Sequence, residues 1–506
     1  MARVITTKNR ASIDPLKHSQ PLGGVLVFLG LAETMPMLHG SQGCSAFAKA
    51  LLTRVFREPI PLQTTAVTEV TAVLGAGDLL GTALDTIREK QHPEIIGVLT
   101  TGLTEVNGED VAGELRAYHD RRADDGPLVV RVSTPDFRGG LSDGWSAALA
   151  ALLRDTPLDE LDVSTRLSDR RVAVLAGPAL TSADLDEIVD LVESYGLEPT
   201  IVPDLAGSLD GHLAAEWSPL TTGGTTLAQL RRLGECGRII AVGPTTAAAA
   251  EVLAGRTGAQ VSQFDHLAGL AATDALVGEL AALANRAGSD AAGAAVGTTP
   301  PRRVARDRAR LADALLDTHF FLGGARVALA GEPEQLLATA SLLRDVGAEV
   351  VAAVSPTADP ALERVPCDEV AVGDLSELER RARSAGAEVV LASSHARATA
   401  ARIGAAFLPF GFPVYDRLGA TLRPTCGYRG SRELLTDLTN TLLDHREPVS
   451  QAARHGVLGR SRTTCTPRDL RPSVASTWDT GKSEPRSQSD TRASDVITES
   501  HEESMC

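Results

Sequence analysis

Short apolar runs bounded by glycine or charge alternate along most of this chain with longer stretches in which apolar positions recur at helical spacing. The first run, Gly24-Val25-Leu26-Val27-Phe28-Leu29-Gly30, has no polar face and predicts a strand buried on both sides. Ser45 to Phe56 follows as a helix, with Phe47, Ala50, Leu51 and Val55 on one face. Pro59 and Pro61 hold the next stretch extended. Helices are predicted from Thr68 to near Gly75 and from Gly77 to Lys90. A strand at Ile95–Leu99, a loop at Thr100–Glu105, a helix at Val111–Asp120 and a strand at Leu128–Val132 complete a first β-then-α unit.

Two further units repeat the alternation. One opens with Val172-Ala173-Val174-Leu175-Ala176-Gly177, the other with Val327-Ala328-Leu329-Ala330-Gly331, and a helix of similar length follows each. Strands near Glu198–Val202 and Arg238–Val242 alternate with helices near Thr226–Leu233 and Thr245–Leu253, and Leu267 to Arg286 forms a closing helix. After a linker and a helix at Val304–Thr318, the third unit adds helices at Glu334–Asp345 and Leu375–Ala385 and strands at Glu349–Val354 and Glu388–Ala392. Such alternation implies parallel sheets covered by helices on both faces, with reactive loops beyond the strands' carboxyl ends. The expected fold is α/β, with three Rossmann-like doubly wound domains at 21–165, 166–290 and 323–450. Residues 1–20 are expected to be an N-terminal arm and 291–322 a linker and helix. Residues 451–506, polar and without apolar periodicity, are expected to be a disordered tail.

Composition narrows the function. Aromatic residues make up only 3% of the 506 positions and the formal charge is -16, which disfavours nucleic-acid binding through clustered cations and stacking aromatics. No apolar run approaches the roughly 20 residues that span a bilayer, and no secretory signal is evident, so a cytoplasmic protein is expected. The six cysteines are Cys44, Cys236, Cys367, Cys426, Cys465 and Cys506. They contain no C-x-x-C pair and are expected to be free thiols or ligands.

Candidate chemistry concentrates at His39-Gly40-Ser41-Gln42-Gly43-Cys44. A cysteine at a helix start sits where the dipole and free N–H groups favour a thiolate, and hence metal ligation. Gly40 and Gly43 would permit close approach of a cluster or another backbone. A single thiolate cannot hold a metal centre that needs about four ligands. From the residues alone, Cys44 stays open between a metal ligand or reactive thiol and a packed cysteine. His39 has two readings as well, a donor to a ligand or a residue that hydrogen-bonds the turn. Gly75 to Gly81 only superficially matches a dinucleotide loop, and no zinc-protease or hydrolase signature occurs.

Several ordered motifs closely resemble the β-type subunits of the nitrogenase family over about residues 15–445. They are Pro36 to Cys44, Arg57-Glu58-Pro59 through Thr68-Glu69, Thr100-Thr101 with Glu105, Gly411 to Arg417, and Gly427-Tyr428-Arg429-Gly430. In the catalytic β subunit, the resemblance places three cysteines around a shared cluster. Here Cys44 stands at one of those positions and Leu62 and Gly102 at the other two, and neither of the latter can ligate iron. The resemblance therefore implies a cofactor-assembly scaffold subunit with no independent catalysis; the alternative is a catalytic β subunit of nitrogenase or of a related reductase. It further implies a heterotetramer with an α-like subunit and a bridging 4Fe-4S cluster to which Cys44 gives one ligand. An iron–molybdenum cofactor precursor would be held mainly in the partner. The nitrogenase reductase, a precursor-cluster donor and apo-nitrogenase as acceptor are the further partners it implies.

Overall fold

The computed structural model describes residues 1–6, 14–74, 79–122, 126–159, 168–209, 217–292 and 300–446. In chain order the first part runs β1 (Arg3–Thr6), α1 (Gln20–Leu29), β2 (Thr34–His39), α2 (Gln42–Phe56), β3 (Gln63–Thr64), α3 (Glu69–Leu74), α4 (Leu79–Gln91), β4 (Ile95–Thr100), α5 (Gly102–Asn107), α6 (Val111–Arg121), β5 (Leu128–Val132) and α7 (Leu141–Asp155). The second part runs β6 (Ser168–Ala176), α8 (Ser182–Ser194), β7 (Glu198–Val202), α9 (Leu205–Ser208), α10 (Leu227–Arg231), β8 (Cys236–Val242), α11 (Ala247–Thr257), β9 (Gln260–Phe264) and α12 (Leu270–Ala292). The remainder is α13 (Arg302–Leu322), β10 (Arg326–Ala330), α14 (Pro333–Asp345), β11 (Glu349–Ser355), β12 (Glu369–Val372), α15 (Leu375–Ala385), β13 (Val389–Ala392), α16 (Arg397–Ile403), β14 (Ala406–Pro409) and α17 (Gly427–Arg446).

The strands form three sheets, ordered β3-β2-β4-β5, β7-β6-β8-β9 and β1-β12-β11-β10-β13-β14. All named pairings are parallel. Each order reverses beside an early strand of its unit, β2, β6 or β10. That reversal parts the connections to opposite faces and opens a crevice at the carboxyl edge. The α/β, triple-sheet expectation is met.

Two local expectations are corrected. Residues 24–30 are not a strand: residues 24–29 belong to α1, every residue of which is buried, and Gly30 caps its end. A run apolar on all sides has no periodicity to separate helix from strand. Here close packing decides. A Cβ on Gly23 would lie 2.0 Å from the Leu141 carbonyl oxygen, and one on Gly144 would lie 1.9 Å from that of Gln20, so α1 and α7 cross nearly backbone to backbone. The strand that precedes the Cys44 motif is β2. The second correction concerns the N-terminal arm: Arg3 to Thr6 pair with Glu369 to Val372 and supply the edge of the third sheet. The loop after β4 is a short helix, α5, capped by Thr101 and Thr104. The expected disordered tail lies outside the described residues.

The core runs continuously from α1 and the first sheet into the other two. Trp145 on α7, 2% exposed, donates its indole N–H to the Ala176 carbonyl at the end of β6 (3.0 Å). Asp184 on α8 accepts from the backbone N–H of Cys426 at 2.8 Å and from Thr425 Oγ1 at 2.8 Å. The start of α17 is thereby pinned to the second sheet's covering helix.

Candidate metal centre

The Cys44 motif occupies the carboxyl edge of the first sheet, where β2 and β4 lie side by side. Ser41 is the N-cap of α2 in extended conformation, which puts Cys44 at the third helical position, among backbone N–H groups without intrahelical partners. Ser41 Oγ and Cys44 Sγ are 3.6 Å apart. Cys44 is exposed, so the packed-cysteine reading fails. A Cβ on Gly43 would meet nothing within 4 Å, leaving that side open to an incoming group.

Gly40 has a different reason for being glycine. It is buried, and a Cβ there would lie 2.3 Å from Thr101 Oγ1. The expectation that Gly40 makes room for a cluster is corrected: it makes room for Thr101, whose hydroxyl donates to the His39 carbonyl at 3.0 Å.

Below the turn, a directed hydrogen-bond chain fixes its position. Gly40 N–H donates to Thr65 Oγ1 (3.1 Å), and Thr65 Oγ1 lies 3.0 Å from His39 Nδ1. Glu109 accepts on the other ring nitrogen, which leaves Nδ1 to accept the proton of the Thr65 hydroxyl. His39 then carries its proton on Nε2 and donates it to Glu109 Oε2 at 2.8 Å. Burial lowers the His39 pKa against the opposing pull of Glu109, which agrees with a neutral ring. Of the two readings of His39, the turn-holding one is correct.

Gly102 begins α5 beside this turn, and its N–H donates to Asp136 Oδ2 (3.3 Å). Burial raises the Asp136 pKa, while Gly102 and Lys17 oppose the rise. The other Asp136 oxygen is buried with no hydrogen-bond partner among the described residues. Leu62 is buried with Leu38, Leu52 and Ile60 in the core, and its side chain carries no atom that could ligate iron. Thr65, Glu109 and Asp136 escaped the sequence reading because their partners lie 25 to 70 positions away.

The surface around the motif is apolar. Phe47 on α2 is 82% exposed, Val73 on α3 84% and Val106 on α5 75%, with Val70, Leu103 and Phe137 also exposed at this edge. Asn107 ties α5 to α3 through the Ala72 carbonyl (3.1 Å). Among the described residues, no group of three or more His, Cys, Asp or Glu side chains could hold a metal ion. Burial pushes the Cys236 and Cys367 thiols up to about 11 and Cys426 well above its ordinary value, which marks them as inert. Cys465 and Cys506 lie outside the described residues.

Residues 19–443 match the family described as Nitrogenase component 1 type Oxidoreductase. The chain belongs to the nitrogenase component 1 family. Among curated family members, the nitrogenase iron-molybdenum cofactor biosynthesis protein NifN of Rippkaea orientalis is 43% identical over 88% of this chain and 96% of its own length. The NifN of Rhodobacter capsulatus is 41% identical over 88% and 94%, and that of Klebsiella pneumoniae 34% over 89% and 97%. A solved family structure, Nitrogenase Cp1 at pH 6.5, superposes with a TM-score of 0.78 at 26% identity, covering 92% of this chain and 98% of that one. Among the described residues, no helix is long and apolar enough to cross a membrane.

Proposed function

We propose that this chain is the β-like subunit of the scaffold on which the nitrogenase iron–molybdenum cofactor is matured, with Cys44 supplying one ligand to a 4Fe-4S cluster completed by an α-like subunit, NifE. The observation that carries the reading is an exposed thiol at a helix start, without fellow ligands among the described residues, inside an exposed apolar face. A partner chain docked there would bury Phe47, Val73 and Val106 and bring the missing thiolates. The names of the curated relatives support the cofactor-biosynthesis role.

The donor set fits a corner of such a cluster, since Cys44 has an open side at Gly43 and helical N–H groups behind its sulfur. An iron–sulfur cluster bound there would supply one-electron redox capacity. The chain's own residues hold the turn through Thr65, His39 and Glu109, and exclude water through the apolar rim once it is covered. The precursor rests mainly in the partner. The nitrogenase reductase (Fe protein), the precursor-cluster donor NifB and apo-nitrogenase as acceptor are the transient partners of the assembled heterotetramer.

Anaerobic co-purification with the α-like subunit, followed by iron analysis and electron paramagnetic resonance, tests this. Cys44→Ala is expected to keep the two chains together while altering the spectrum and lowering bound iron. An iron signal indifferent to Cys44 would sink the assignment, and intrinsic nitrogenase turnover would favour a catalytic β subunit instead.

A further inference from the structure

Away from the Cys44 edge, α1, α2 and α7 face the other two units across a cavity of about 380 Å³. It is reached by the segments that follow β6, β10 and β14, the carboxyl-edge position where ligands of parallel sheets bind. Leu26, Phe56, Trp145, Phe410 and Phe412 give it apolar and aromatic walls. Among the described residues no cysteine or histidine lines it, so they offer an iron–sulfur cluster there no thiolate or imidazole.

Two polar side chains reach it from the first turn of α14, Glu332 and Gln335. Glu332 is 7% exposed and accepts from Ser142 Oγ at 2.6 Å. Burial pushes its carboxyl up to about 7, so near neutrality its protonated and charged forms are comparably populated. Gln335 is also 7% exposed, and among the described residues its side-chain amide makes no hydrogen bond. That amide is lodged between two glycines: a Cβ on Gly411 would lie 2.0 Å from Nε2, and one on Gly331 would lie 2.6 Å from Oε1. Gly411 has φ +82°, so its backbone favours glycine too. The amide offers a donor and an acceptor in one plane, neither taken up within the protein, and both are available to a group that enters the cavity.

The charges at the mouth decide what kind of partner fits. Arg423 is paired with Asp437 at 2.6 Å, and Arg417, Glu433 and Asp444 also line the cavity. The rim carries no positive excess to attract an anion.

We propose that this cavity binds a small uncharged molecule with an apolar or aromatic body and an amide-type edge, its carbonyl and N–H pairing with the Gln335 side chain. The site is independent of Cys44, so failure of either assignment leaves the other standing.

Benzamide is the probe and benzoate its isosteric charged control. Saturation-transfer NMR on the purified full-length chain, together with its partner where the two co-purify, should give a saturable benzamide signal. Benzoate should bind at least tenfold more weakly. Gln335→Met, which keeps the length of the side chain and removes donor and acceptor, should weaken benzamide at least tenfold while the melting temperature stays within a few degrees. Absence of saturable benzamide binding, equal binding by Gln335→Met, or benzoate binding as tightly as benzamide would each overturn the proposal. The comparison of the two probes needs only the wild-type chain, so it decides the matter even if the variant fails to fold.

Discussion

At the scale of single residues, the site is a surface thiol held by a buried polar chain. Thr65 is the hinge of that chain, because its one hydroxyl serves both Gly40 N–H and His39 Nδ1. Thr65→Val would leave a buried donor and a buried acceptor unpaired, a loss on the order of 1–3 kcal/mol. The melting temperature should fall, and the resonance spectrum of the anaerobic complex should broaden because the Cys44 turn is less fixed. An unchanged spectrum in a folded variant would mean that the turn is positioned without this chain. Glu332 gives a prediction in pH. Its carboxyl lies near 7 when folded, against an ordinary 4.5, so the folded protein holds that proton more tightly than the unfolded chain. The resulting stabilisation is complete below about 4.5 and is lost as pH rises through 7. Relative to Glu332→Gln, the wild type should lose on the order of 3 kcal/mol between pH 5 and pH 8. Melting curves of both proteins across that range would check the sign, and parallel curves would count against a buried, protonated Glu332.

Among elements, the join between α8 and α17 explains why Gly427-Tyr428-Arg429-Gly430 stood out in the sequence. Tyr428 is fully buried and donates its hydroxyl to Asp274 at 2.6 Å. Arg429 pairs with Asp190 at 2.7 Å and with Glu187. Burial raises the Glu187 carboxyl and Arg429 opposes the rise. Arg429→Met would strand that buried carboxylate and should cost on the order of 3 kcal/mol, read as a lower denaturation midpoint. Adding Glu187→Gln to Arg429→Met should recover part of the loss, which a purely steric role for Arg429 would not allow. Helices with a polar face, such as α6, α8 and α15, were legible because burial on one side leaves a 3.6-residue pattern. The pattern vanishes in α1, buried all round, and is too short to read in β1, β12 and β14, whose four residues each are placed by their neighbours in the sheet.

For the molecule as a whole, the three sheets are held with their carboxyl edges toward common ground. Glu334 shows how. From the start of α14 it accepts from Ala179 N–H at 2.9 Å, after β6, and from Thr245 Oγ1 at 2.6 Å, after β8. A Cβ on Gly243 would lie 2.5 Å from its carboxylate. The buried acid thus ties the edge of the second sheet to the third and forms part of the frame behind the cavity.

The sequence by itself determined the α/β alternation, the three-fold repetition of parallel units and the ligand-capable residue types at His39 to Cys44, because apolar periodicity and residue type are local properties. Only the tertiary structure decided that Gly24 to Leu29 is helical, that Arg3 to Thr6 close a sheet more than 360 positions away, and that Gly40 serves Thr101 while Gly43 faces open space. It also set His39 as the brace of the turn and left the Gln335 amide unpaired on a cavity wall. Each of these depends on which distant groups come within hydrogen-bonding or van der Waals reach, and spacing along the chain carries no record of that.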